Sequence, residues 1–204
     1  MRVLVACEFS GVVRRAFERH GHFAWSVDLL PAEDGAANHT RGGVMHFLSK
    51  TSIPFDLIIA HPPCTHLAVS GARWFKDKRE QQEQAAALFA WLLGDFVNIP
   101  YKCIENPVSV VSSLLRKPDQ TIQPWQFGHP EFKATCLWLK NLPRLTPTKL
   151  LEPPARGTEE HRAWSKVHRA APGPDRWKER SRTFTGIAEA MAQQWGGLAV
   201  AEAA

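Results

Sequence analysis

No apolar run in this chain of 204 residues approaches the roughly 18 residues that a membrane-spanning helix needs, so no membrane partner is expected. The first residues, MRVLVACEF, also lack the longer apolar region and small-residue cleavage site of a secretory signal, which predicts a cytoplasmic protein. Cysteine is sparse. Cys7, Cys64, Cys103 and Cys136 stand far apart in or beside apolar runs, which excludes the dense framework of a small disulfide-stapled domain and predicts reduced thiols. A metal-ligand set is missing too: His61, Cys64 and His66 are close in sequence, but no second close pair of cysteines or histidines completes four ligands. No metal is expected. The three-glycine dinucleotide fingerprint is absent as well, and Gly11 stands alone after the first strand-like run.

An apolar fraction of 44% with eight tryptophans argues for a folded globule, and the length suits one α/β domain over residues 1–204. A formal net charge of +5 suits a polyanionic partner without requiring one. The densest pattern is FDLIIAHPPCTHLAVSG, residues 55–71. Its apolar run, Leu57 to Ala60, reads as a buried strand that stops at His61. Proline fixes φ at about −65° and restricts the residue before it, so Pro62 and Pro63 hold the loop and present Cys64 just beyond the strand's carboxyl end. Open α/β sheets bind ligands at that edge. A thiol so placed is a candidate nucleophile, and a structural cysteine beside a proline turn is the alternative.

Arg2 to Cys7 reads as a first buried parallel strand, followed by Glu8, Phe9, Ser10 and Gly11. A helix from Val12 to His20 then carries Val13, Ala16 and Phe17 on one face, and a tight turn before it lets backbone N–H groups approach a ligand. A second strand, Ala24 to Val27, ends at Asp28, where a nucleotide-binding βαβ unit places its ribose acceptor about 20 residues after the first turn. A helix cap or loop aspartate is the alternative. Residues 30–52 read as loops with a short helix near Val44 to Leu48, and Arg79 to Phe96 as an amphipathic helix with Ala85, Leu88, Phe89, Leu92, Leu93 and Phe96 on its apolar face.

Tyr101 to Ile104 is a strand that stops at Glu105, Asn106 and Pro107, and Val108 to Leu115 a short helix. If this strand and Leu57 to Ala60 are parallel neighbours, Cys64 and Glu105 meet at one edge as a nucleophile and an acid/base group. Thr135 to Leu139 is a further strand, Pro143 to Pro154 a proline-rich connection, and Gly186 to Trp195 a last helix with Ile187, Ala190, Met191 and Gln194 on one face before a small tail. Between them, Arg156, Arg162, Lys166, Arg169, Arg176, Lys178, Arg180 and Arg182 are interleaved with His161, Trp164, His168 and Trp177. Cations meet phosphates and rings stack on bases, so this stretch reads as a nucleic-acid surface, with a solvated loop as the alternative.

In this order the residues resemble the cytosine-5 DNA methyltransferases, and among them the compact phage-type members, over nearly the whole chain. EFSG at 8–11 is similar to the first cofactor motif, Val27-Asp28 to the acidic motif after the second strand, HPPC at 61–64 to the proline-cysteine motif, and ENP at 105–107 to the glutamate motif. RTFTGIAEAMAQQW is similar to the final helix that closes the cofactor pocket. The resemblance implies a class I methyltransferase of Rossmann-like α/β fold, with a mostly parallel central sheet flanked by helices. It also implies a DNA (cytosine-5-)-methyltransferase working in a bacterial or phage-infected cytoplasm, with S-adenosylmethionine as cofactor. The partner it implies is DNA, either a duplex with a flipped cytosine or a single strand.

On the cofactor side it implies Glu8, Phe9, Ser10, Gly11, Asp28, Leu29, His61 and Pro62, with Phe9 against the adenine and Asp28 on the ribose hydroxyls. On the catalytic side it implies Pro63, Cys64, Glu105, Asn106 and Lys133. Cys64 would add to carbon 6 of cytosine while Glu105, protonated or hydrogen-bonded to ring nitrogen 3, stabilises the charge. The chain departs from the family pattern in carrying Gly42-Gly43-Val44 where the family has a Gly-Asp-hydrophobic motif. The family's glutamine and two arginines have no match, Lys133 and Thr135 being the nearest candidates. Residues 150–182 form a short basic insertion in place of a target-recognition domain, which predicts short or weak sequence specificity or help from a second subunit, as in a homodimer. An amino-methyltransferase, a catalytically silent DNA-binding or regulatory relative, and an enzyme of free pyrimidine nucleotides remain as alternatives.

Overall fold

The computed structural model describes residues 1–171, 173 and 176–198. The side chains of Arg73, Trp74 and His168 and the small tail expected from residue 199 lie outside the described residues. In chain order the elements are β1 (Arg2–Ala6), α1 (Val12–Arg19), β2 (Phe23–Asp28), β3 (His39–Arg41), α2 (Val44–Lys50), β4 (Leu57–Ala60), α3 (Arg79–Leu93), β5 (Tyr101–Pro107), α4 (Val111–Leu114), β6 (Gln120–Ile122), β7 (Thr135–Lys140), α5 (Glu159–Ala163), α6 (Lys166–Arg169), α7 (Arg176–Ser181) and α8 (Thr185–Trp195).

Strands buried on both faces read as continuous apolar runs, and Val3 to Ala6 and Leu57 to Ala60 are buried throughout. Alternation along each strand divides them between two cores. Val3, Val5, Leu57 and Ile59 join Val13, Phe17, Ile187, Met191 and Trp195 of α1 and α8. Leu4, Ala6, Ile58 and Ala60 join Val44, Phe89 and Leu92 of α2 and α3. The resulting seven-stranded sheet has the order β3-β2-β1-β4-β5-β7-β6, parallel except where β7 runs antiparallel to both β5 and β6. Helices cover both faces, as the resemblance to Rossmann-like class I methyltransferases implies. Among the described residues no helix is long and apolar enough to cross a membrane.

Several boundaries differ from the sequence expectation. The strand expected to stop before Glu105 continues to Pro107, because β7 pairs with it from Lys102–Lys140 through Glu105–Leu137 and Asn106–Cys136 to Pro107–Thr135. Glu105 and Asn106 are therefore held by the sheet and not by a loop. The three-residue strands β3 and β6 carry no apolar alternation and escape a sequence reading. Helix α3 ends at Leu93 before Gly94, which leaves Phe96, expected on its apolar face, in solvent. The helix expected from Val108 to Leu115 contracts to α4, since the Val108 carbonyl accepts from Val69 and Ser109 bridges to Ala68. Gln194, expected on the buried face of α8, instead exchanges two 2.8 Å hydrogen bonds with the backbone of Thr146.

Candidate active site

The carboxyl ends of β1, β2, β4 and β5 converge at one edge of the sheet, the ligand-binding edge of open α/β sheets. After β1 the chain turns sharply: Cys7 has φ of +58°, and Gly11, at φ +66°, starts α1. Glycine is favoured at position 11 because φ of +66° lies in the left-handed region, which a residue with a Cβ adopts only under strain. Glu8 is buried and turned to the helix, its carboxylate accepting from the backbone N–H of Val13 at 2.7 Å and of Arg14 at 3.3 Å. A carboxylate there satisfies two otherwise unpaired donors at the positive end of the helix. The hydroxyl of buried Ser10 also donates to Glu8, at 3.3 Å. At the end of β2, Asp28 accepts from the Leu30 N–H at 2.9 Å, and burial pushes its carboxyl up. Leu29 beside it is exposed, and its carbonyl accepts from Arg41.

The β4 end is anchored by the His61 N–H, which donates to the Ala6 carbonyl at 2.9 Å. Pro62 is buried and Pro63 exposed, and the Asn106 side chain donates to the Pro62 carbonyl at 3.0 Å, tying the proline loop to β5. Cys64 follows, half-buried, its carbonyl accepting from Leu67 and Ala68. His61 Nδ1 and Glu105 Oε2 lie 3.1 Å apart with 9% and 14% of their side-chain surfaces exposed. Burial pushes the Glu105 carboxyl up, but the His61 hydrogen bond and charge, with Lys133, outweigh it and hold it below its ordinary value. Burial pulls the His61 imidazolium down, and Glu105 outweighs that and raises it. Each partner thus favours the charged form of the other.

Burial pushes the Cys64 thiol up and the Glu105 charge adds to this, while Lys133 and Arg180 act in the opposite direction. Lys133 is itself drawn down by burial, against the pull of Glu105 and Cys64. Cys64, Glu105 and Lys133 are thus within electrostatic reach of one another. Cys7, by contrast, is pushed up to about 12 by burial and by Asp28, and is an inert thiol. All four cysteines are free, and among the described residues no three His, Cys, Asp or Glu side chains come together to hold a metal.

The basic stretch lies against this edge. Trp177 packs on Phe9 with ring centroids 5.5 Å apart. Arg182 forms a two-oxygen salt bridge with Glu33 at 2.7 and 2.9 Å, and the Arg182 carbonyl accepts from Lys133 Nζ at 3.1 Å. Trp177 and Arg180 are three residues apart, one helical turn, which lets one face of α7 reach both the Phe9 side and the Cys64 side. Sequence reasoning had Trp177 and Arg180 only as members of a charged stretch, and missed Glu33 altogether. The Trp-x-x-Arg spacing was the one available signal.

Phe9 offers a ring, Asp28 a carboxylate at a strand end, and His61 Nε2 is a buried ring nitrogen without a partner among the described residues. These groups fit an adenosine-bearing cofactor such as S-adenosylmethionine. No family model matches the chain, and no curated protein matches it. Among solved structures the chain is similar to an E. coli protein encoded within a prophage and described as a DNA modification methyltransferase. Identity is 14% and the TM-score 0.49, over 75% of this chain and 52% of that one, so the chain spans about half the length of that structure.

Proposed function

We propose that this protein transfers a methyl group to carbon 5 of cytosine in DNA through a covalent Cys64 adduct. The observation that carries the reading is the cluster of Cys64, Glu105 and Lys133 at the carboxyl ends of the parallel neighbours β4 and β5, locked by the Asn106–Pro62 hydrogen bond. Cytosine carbon 5 is a poor nucleophile, and a thiolate bonded to carbon 6 turns the ring into an enamine. The Cys64 proton must leave first, to solvent, and the Lys133 and Arg180 cations favour the thiolate against the burial that opposes it. Glu105 must first take up a proton from solvent, against the His61 and Lys133 charges that favour its ionised form. As negative charge develops on the ring, Glu105 donates that proton to nitrogen 3, and Lys133 would hold the ring carbonyl. Phe9, Asp28 and the backbone near Ser10 and Gly11 would hold S-adenosylmethionine, which would supply an electrophilic methyl group. A base or water then removes the carbon 5 proton, and the Cys64 thiol is expelled.

A duplex target must leave the stack, at a cost of a few kcal/mol, and residues 150–182 stand where a separate recognition domain is missing. Their cations meet the backbone while few groups are left to read base edges, so sequence preference is short or weak. The test is transfer of labelled methyl from S-adenosylmethionine to unmodified DNA, with product nucleosides resolved. Label in 5-methylcytosine that disappears in Cys64→Ala is the expected result, and undiminished transfer by that variant overturns the nucleophile assignment.

A further inference from the structure

A buried histidine beside a catalytic carboxylate needs its own explanation. The His61 backbone is held by the N–H bond to Ala6 and by the following Pro62, and the ring by the contact of its Nδ1 with Glu105 Oε2 at 3.1 Å. Asn106, the residue after Glu105, returns to the Pro62 carbonyl, so the β4 loop and the β5 strand hold each other in register. Among the described residues Nε2 has no partner, and no other side chain is bonded to Glu105 Oε2. A carboxylate with one oxygen engaged by a fixed donor has one orientation, and its other oxygen is left to the substrate.

Resting on the cytosine-methylation reading, we propose that His61 is the positioning residue of Glu105: it fixes which carboxylate oxygen faces the target base and governs when that carboxyl carries a proton. The charged groups acting on the pair are Glu8 after β1 and Lys133 before β7, and the pair in turn acts on Asp28 at the end of β2, Cys64 on the same loop, Cys103 on β5 and Cys136 on β7. Glu8 and Glu105 favour the imidazolium and Lys133 opposes it. The raised His61 value means that its charge is lost only as pH rises above the ordinary 6.5, so turnover that depends on the pair declines on the alkaline side.

The experiment has two arms. His61 is titrated by NMR of histidine-labelled protein, assigned by difference against His61→Gln, in the wild type and in Glu105→Gln. Methyl transfer is then followed against pH for the wild type, His61→Gln and His61→Ala. The expected results are a His61 titration that falls in Glu105→Gln, at least tenfold lower kcat in His61→Ala with the KM for DNA unchanged, and loss of the alkaline decline in both His61 variants. His61→Gln, which keeps a side-chain donor, should recover part of the rate. A His61 titration indifferent to Glu105→Gln overturns the proposal whatever the activity. A coupled titration in a wild type that transfers no methyl overturns the methylation reading and leaves the pair standing. Coupling together with wild-type rate and pH profile in His61→Gln removes His61 from turnover.

Discussion

The edge formed by β1, β4 and β5 and the basic arm from residue 156 to 182 both reach the Cys64 cluster, but different forces hold them. The edge stands on fully buried strands: Val3 to Ala6 and Leu57 to Ala60 are covered on both faces, and His61, Pro62 and Asn106 extend that order into the loops. The arm consists of three short helices, α5, α6 and α7, of five, four and six residues, too short to be stable by themselves. It is seated by ring contacts, a salt bridge and single hydrogen bonds: Trp177 on Phe9, His161 and Trp164 on Phe132, Arg182 on Glu33, Lys133 on the Arg182 carbonyl, and Glu131 accepting from the N–H groups of Lys166 and Val167. On the proposed reading, chemistry that needs fixed geometry would sit on the edge, and cations that would follow an irregular phosphate chain on the arm. The division matches what each part can hold still.

The largest effect should come from breaking the support of the edge. Phe89 is fully buried and meets Trp138 edge-on at 4.9 Å, so Phe89→Ala should cost about 3–5 kcal/mol in denaturant unfolding. A loss below about 1 kcal/mol would mean that this face is not close-packed. A smaller effect, confined to binding, should follow from reversing charge on the arm. Replacing Arg176, Lys178 and Arg180 with glutamate should reduce the slope of log affinity for DNA against log salt by about 0.9 for each duplex phosphate that is no longer neutralised, with unfolding nearly unchanged. An unaltered slope would take α7 out of the interface. The smallest change is expected at the seam: the partly exposed Arg182–Glu33 bridge is worth about 0–1 kcal/mol, so Arg182→Ala should leave the global transition in place. Hydrogen exchange in residues 176–182 should nevertheless speed up, and unchanged exchange there would show that the arm's other contacts seat it without the bridge.

Features governed by neighbouring residues were legible in the sequence. A continuous apolar run announces a buried parallel strand, two prolines announce a rigid stop after it, and a glycine before a helix announces a tight turn. Together these placed Cys64 and Asp28 at strand ends and led to parallel pairing of Leu57–Ala60 with Tyr101–Ile104, as observed. His61 drew attention as part of that loop, as a member of an incomplete metal-ligand set and as a cofactor contact, since nothing local says that its ring meets Glu105, 44 positions away. The extension of β5 through Glu105 likewise depends on β7, and the seating of the arm on Glu33, 149 positions from Arg182. Apolar periodicity and turn chemistry are written into adjacent residues because they follow from backbone geometry. Hydrogen bonds between polar side chains on different strands leave no periodic trace, because burial and distance create them only once the chain has folded.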